Sequence, residues 1–154
     1  MKHTKSAEAQ LEEFLAKFTL EIAGLAKAVL VKMRKRLPGA VEMVYDNYNA
    51  LVIGFGPTER ASEAILSIAL YPRWINLFFL HGKDLRDPEK LLKGSGNQVR
   101  SLVIESAETL DDPRVQELIE EAVERGRAPF DASRKRKLVI RAIAEKQRPR
   151  RPAK

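Results

Sequence analysis

The chain has 154 residues, 44% of them hydrophobic, with no cysteine and a formal net charge of +7. That length suits one domain with its own core, and the missing cysteines exclude a disulfide framework, thiolate metal sites and thiol redox chemistry. The opening residues alternate charged and apolar side chains without the run of a secretory signal, and no apolar stretch approaches the roughly 20 residues of a bilayer crossing, so the expected setting is the cytoplasm, with no membrane partner.

Apolar residues at Leu11, Phe14, Leu15, Phe18, Ile22, Leu25, Val29, Leu30, Met33 and Leu37 recur at helical steps, and Thr19 followed by Glu21 has the form of an N-cap, which predicts two helices with a break near Phe18. Pro38 and Gly39 stop the second. The period then changes to two: Val41, Met43 and Tyr45 share one strand face, and Leu51, Ile53 and Phe55 share the next. Residues 64–71 and 74–81 form two further strands around Pro72-Arg73. They are apolar on both faces and so expected at the sheet centre, with Trp74, Phe78 and Phe79 each contributing about 1.5–3 kcal/mol if fully buried.

Asp87-Pro88-Glu89 predicts a short helix through Leu92, closed by Gly94; residues 99–105 make a fifth strand; and Asp112-Pro113 opens a helix carrying Val115, Leu118, Ile119 and Ala122 on one face. Residues 137–144 fit a strand or a short helix, with the strand preferred for its β-branched content. The reading is one α+β domain over residues 1–145, an antiparallel sheet of five to six strands with helices mainly on one face. Residues 146–154 form a basic, Pro/Arg-rich tail, expected to be extended and mobile.

Charge is divided along the chain. Residues 125–154 hold 12 basic against 2 acidic side chains, a net of +10, leaving 16 against 19, or −3, for residues 1–124. A near-neutral domain with a basic appendage suggests weak, salt-sensitive contact with nucleic acid or another polyanion through Arg134, Lys135, Arg136, Lys137, Arg148, Arg150 and Arg151. The acidic face of residues 112–124 is an alternative, internal partner for these cations, and a second copy of the chain is another.

The segments PGAVEMVYDNYNA (38–50), YPRWINLFFLHGKDLRDPEKLLKGSGNQVR (71–100) and LVIRAIAEKQRPRRP (138–152) resemble the YdhG-like family, a domain of unknown function numbered 1801. The resemblance covers most of the chain and implies a compact α+β domain with an antiparallel sheet and no established activity. Its frataxin-like relatives imply an iron-handling alternative, for which Asp111, Asp112, Glu117 and Glu121 are the candidate carboxylates; no other cofactor is expected.

Three further groups carry candidate chemistry. Tyr45, Asp46 and Asn47 in a hairpin connection, with Tyr71, Trp74, His81 and Arg100, are the candidate ligand pocket, Asp46 being a base or an orienting acceptor. Lys93, Gly94, Ser95 and Gly96 offer the glycines and flanking cations of an anion nest, without the spacing of a phosphate-binding P-loop. His81 lies near Asp87 and Glu89, yet two histidines and no thiols make a capped strand-end histidine the simpler reading. The expected function is a non-enzymatic module binding a small ligand or a protein, with polyanion and iron binding as alternatives.

Overall fold

Two hydroxyls set the opening third. In the computed structural model, which describes residues 5–153, Ser6 accepts from the Ala9 N–H at the start of α1 (Ala7–Leu15), and Thr19 accepts from Ile22 at the start of α2 (Leu20–Arg36). Each satisfies a backbone donor that the first turn leaves without a partner. The expected break falls between the helices, and Phe18 there is buried. Arg34, Lys35 and Arg36 in the last turn of α2 meet the negative end of its dipole.

Gly39 turns the chain into the sheet with φ of +79°. A Cβ at Gly39 would lie 1.9 Å from the Asp131 carbonyl oxygen, so glycine is what lets the segment before the last strand dock here. Six strands follow: β1 (Val41–Asp46), β2 (Leu51–Gly56), β3 (Leu66–Leu70), β4 (Ile75–Phe79), β5 (Arg100–Ile104) and, after α3 (Pro113–Glu124), β6 (Lys137–Ile143). Their order is β5-β4-β3-β2-β1-β6. β1 to β5 form an antiparallel meander, while β6 pairs parallel to β1 with a register shift at Val44/Tyr45. The sheet is therefore mixed, because α3 carries the chain from the β5 edge back to the opposite edge.

Alternation chooses the buried face. Ile53, Phe55, Ile68, Leu70, Leu77, Phe79 and Ile104 join Leu15, Phe18, Val29, Met33, Leu118 and Ile119 of the helices in one core. Register puts Glu42, Val44 and Asp46 of β1 opposite Phe55, Ile53 and Leu51, on that same helix-covered side. Val41 and Met43 form a second, smaller cluster with Ala64. Phe79 is fully buried, but Trp74 stays 43% exposed and stacks on Tyr71 at 5.0 Å, so the full burial gain expected of Trp74 is not realised.

The helix expected over residues 87–92 does not form. The Asp87 carboxylate takes the backbone N–H groups of Leu91 and Leu92, and Lys90 adopts φ of 53°, a left-handed conformation that interrupts a helix. Gly94 is then a turn glycine, φ +126°, beside the bridge of Lys93 to Ser101. Asp112 does cap α3, by accepting from Arg114, with Pro113 in the first turn. Among the described residues no helix is long and apolar enough to cross a membrane.

Candidate functional site

The two ends of the sheet treat charge differently. At the end holding Asp46, Leu51, Leu70 and Ile75, the C-terminal segment folds back onto the domain. Arg150, 5% exposed, donates to Asp46 Oδ1 at 2.9 Å and to the Asn47 and Tyr48 carbonyls, with its guanidinium 5.8 Å from the Phe18 ring. Arg151 donates to the Ala16 and Lys17 carbonyls just past α1, Gln147 to the Asp46 carbonyl, and the Arg148 N–H to Tyr48. The expectation of a mobile tail is corrected for residues 146–153; Lys154, the last residue of that expected tail, and residues 1–4 lie outside the described residues. The segment lacks an apolar anchor, but it has an ionic one: a carboxylate buried on β1 is stabilised in a low-dielectric site only by a charge brought to it.

Glu42, also fully buried on β1, receives a bidentate pair from Arg34 at 2.9 Å and has Arg136 at 3.6 Å. Hydrogen bonding to Glu42 raises the Arg34 pKa above its ordinary value. Arg136 also reaches Glu8, Lys137 pairs with Glu59, and Arg134 donates to the Gly39 and Pro57 carbonyls. The internal partners of these cations are thus Glu8, Glu42, Glu59 and backbone carbonyls, not the acidic face of α3. Arg148 lies over the Tyr48 ring, and Lys135 lines a shallow groove beside Val41 and Glu59.

At the opposite end, three connections meet: residues 57–65, residues 80–99 and residues 125–136. Between them lies a cavity of about 330 Å³ lined by Ser62, Glu63, Ile65, Phe79, His81, Asp84, Leu85, Gln98, Ala122, Arg125, Gly126 and Arg127. Ile65, Phe79, Leu85 and Ala122 are buried and form the apolar part of its wall. Above it stand an imidazole, two carboxylates and two guanidiniums. An apolar wall with a few convergent polar groups is the usual form of a small-molecule site.

Local chemistry fixes this arrangement. His81 Nδ1 lies 3.1 Å from Gln98 Oε1, which leaves Nε2 as the other ring nitrogen. Gly82 follows, where a Cβ would meet the Arg100 Cβ at 2.5 Å; its absence lets the His81 turn approach β5. Glu121 ties the cavity wall to α3 by accepting from the Arg86 N–H at 3.0 Å and from Arg125 at 2.6 Å. Those two bonds, the Arg86 one first, hold the Glu121 carboxyl below its ordinary pKa against the opposing effect of burial.

Of the ligand residues expected from sequence, His81 lines this cavity; Tyr45, Asp46, Asn47, Tyr71 and Trp74 do not. Asp46 is at the other end of the sheet, buried under Arg150. Tyr71 and Trp74 stack in the β3–β4 turn, also at that far end, and Tyr45 packs against the smaller cluster. Arg100 is near His81, but its guanidinium donates to the Gly96 and Val99 carbonyls at 2.8 and 2.9 Å. Within the loop of Lys93, Gly94, Ser95 and Gly96, it is the Gly96 carbonyl oxygen that faces this cation.

Three of the four expected metal carboxylates have separate cationic partners. Asp111 pairs with Lys32, Asp112 with Arg114, and Glu121 with Arg125, while Glu117 borders a shallow hollow near Arg86 and Leu118. Among the described residues no three His, Asp or Glu side chains are grouped to hold a metal ion. The residues missed from sequence are Glu63, Asp84, Gln98, Arg125 and Arg127. Their shared signal is position, since each follows or precedes an element ending at the same end of the sheet.

Fold and site define a class: an α+β domain with helices on one face of a mixed six-stranded sheet and a loop-lined cavity at one sheet end. No protein-family model, no curated protein and no solved structure matches the chain.

Proposed function

We propose that this chain is a non-enzymatic, cytoplasmic small-ligand-binding domain whose site is the cavity beside His81. The observation that carries the reading is the meeting of an apolar wall, Ile65, Phe79, Leu85 and Ala122, with polar groups from three separate connections. Binding is favoured over catalysis because His81 faces an amide, Gln98, and among the described residues has no carboxylate partner of the kind that orients a catalytic imidazole. Membership in the YdhG-like family belongs to the same proposal and rests on the three segments quoted above; the cytoplasmic setting rests on the cysteine-free composition. Polyanion binding through the tail is the weaker reading, since Arg134, Arg136, Lys137, Arg150 and Arg151 have partners within the chain.

A thermal-shift screen of small metabolites against the full chain tests the proposal. A ligand selective for the folded state raises the melting temperature by mass action. The expected result is at least one compound whose shift is lost in Ser62→Trp, which places an indole on the exposed rim of the cavity. Shifts that survive this plug contradict the site, and shifts only with polyanions, abolished by salt, contradict the function.

A further inference from the structure

Charges around the cavity fall into two groups. Arg125 is bound by Glu121, and Glu63 accepts from the Thr58 hydroxyl at 3.2 Å with Arg60 at 3.8 Å. Asp84 and Arg127 line the same cavity, carry opposite charges, and have no ion-pair or side-chain hydrogen-bond partner among the described residues. Nor do they pair with each other. A single solvated charge on a surface needs no explanation, but two opposite ones flanking an apolar wall make a complementary pattern.

Resting on the cavity reading above, we propose that the ligand is a small zwitterion with an apolar side group, of the α-amino acid type. Arg127 receives its carboxylate, because guanidinium offers a planar pair of donors to two oxygens. Asp84 receives its ammonium, and the side group lies against Ile65, Phe79 and Leu85. A cavity of about 330 Å³ accommodates a molecule of this size. Each charged end then replaces water by an opposite charge beside an apolar wall, where the interaction is stronger than in bulk solvent.

Calorimetric titration of the full chain tests this with two amino acids and their one-armed analogues. The probes are L-leucine, 4-methylpentanoate and 3-methylbutylamine, and L-phenylalanine, 3-phenylpropanoate and 2-phenylethylamine. The expected result is that at least one amino acid binds roughly tenfold or more tighter than both of its analogues, the size of effect one charge-assisted contact supplies. Arg127→Gln reduces its affinity to that of the amine, and Asp84→Asn to that of the acid. An analogue that matches its parent amino acid overturns the inference, as does binding unaffected by either substitution. So does no binding by both amino acids. If other compounds still give shifts that Ser62→Trp removes, the cavity reading survives that failure; if the plug removes nothing, both fall together.

Discussion

At the Asp46 end of the sheet charges face each other and water is shut out, whereas at the His81 end they face a cavity. Both ends are built from connections between strands, and both carry arginines from the basic last thirty residues of the chain. The difference is in the strand beneath. β1 ends in Asp46 on the helix-covered side, so arginine must come to it. Near His81, Phe79 at the end of β4 and Ile65 just before β3 need no countercharge, and polar groups on the loops above line the cavity. Within one fold, a buried carboxylate turns a cation into structure, while an apolar wall leaves it at the rim of a cavity.

The largest effect expected from breaking this contrast is at Arg150. Arg150→Ala leaves Asp46 buried at 1% exposure without its close partner, with Lys17 Nζ 4.0 Å from Oδ2, and removing one member of a buried pair costs about 3–5 kcal/mol. Urea denaturation gives the change, and it should be accompanied by faster amide exchange in α1 and the β1–β2 hairpin. Asp46 Oδ2 and Arg150 Nε have no hydrogen-bond partner among the described residues, so Asp46→Leu combined with Arg150→Met is expected to recover most of that loss.

Gly39→Ala comes next. It forces a left-handed backbone on alanine and a 1.9 Å contact with Asp131, a cost of about 1–3 kcal/mol or more, read as a lowered melting temperature. Acid has a smaller, graded effect. Glu59, Glu121 and Asp131 have carboxyl pKa values lowered by hydrogen bonds from Lys137, Arg86 and Ser133, respectively. A depressed carboxyl contributes stability that is present above its unfolded pKa and lost as pH falls through the folded value. All three lie in or beside the connections at the cavity end, so in an NMR titration their carboxyl signals should change only below the ordinary carboxylate range, and the stability they contribute should be lost as they do. Arg127→Gln is expected to alter stability least, by no more than about 0.5 kcal/mol in equilibrium unfolding, because the side chain is exposed and unpaired.

The sequence made the frame legible where local physics decided it. Thr19 and Asp112 are N-caps whose hydroxyl and carboxylate meet nearby backbone donors, and the period-two runs of β1 to β5 follow from the pleat. Residues 137–143 were ambiguous by pattern and became a strand through pairing with β1, a contact distant in sequence. The helix expected at Asp87 was lost to a competition whose outcome depends on α3, since Glu121 holds the Arg86 N–H and Arg114 holds Glu89. Arg150 and Asp46 are 104 residues apart, so nothing near QRPRRP announced that the tail would dock. The cavity was hidden for the same reason: Glu63, His81, Asp84, Gln98 and Arg127 come from three connections, and only strand order brings them together.

The most direct test of this account is a two-dimensional NMR titration of isotopically labelled protein with the strongest compound from the thermal screen. The account predicts amide shifts concentrated at Glu63, Ile65, His81, Gln98 and Gly126, with the signals of Asn47, Tyr48 and Arg151 unmoved. Shifts concentrated instead around Asp46 and Arg150, or along the Tyr71–Trp74 turn, would contradict it.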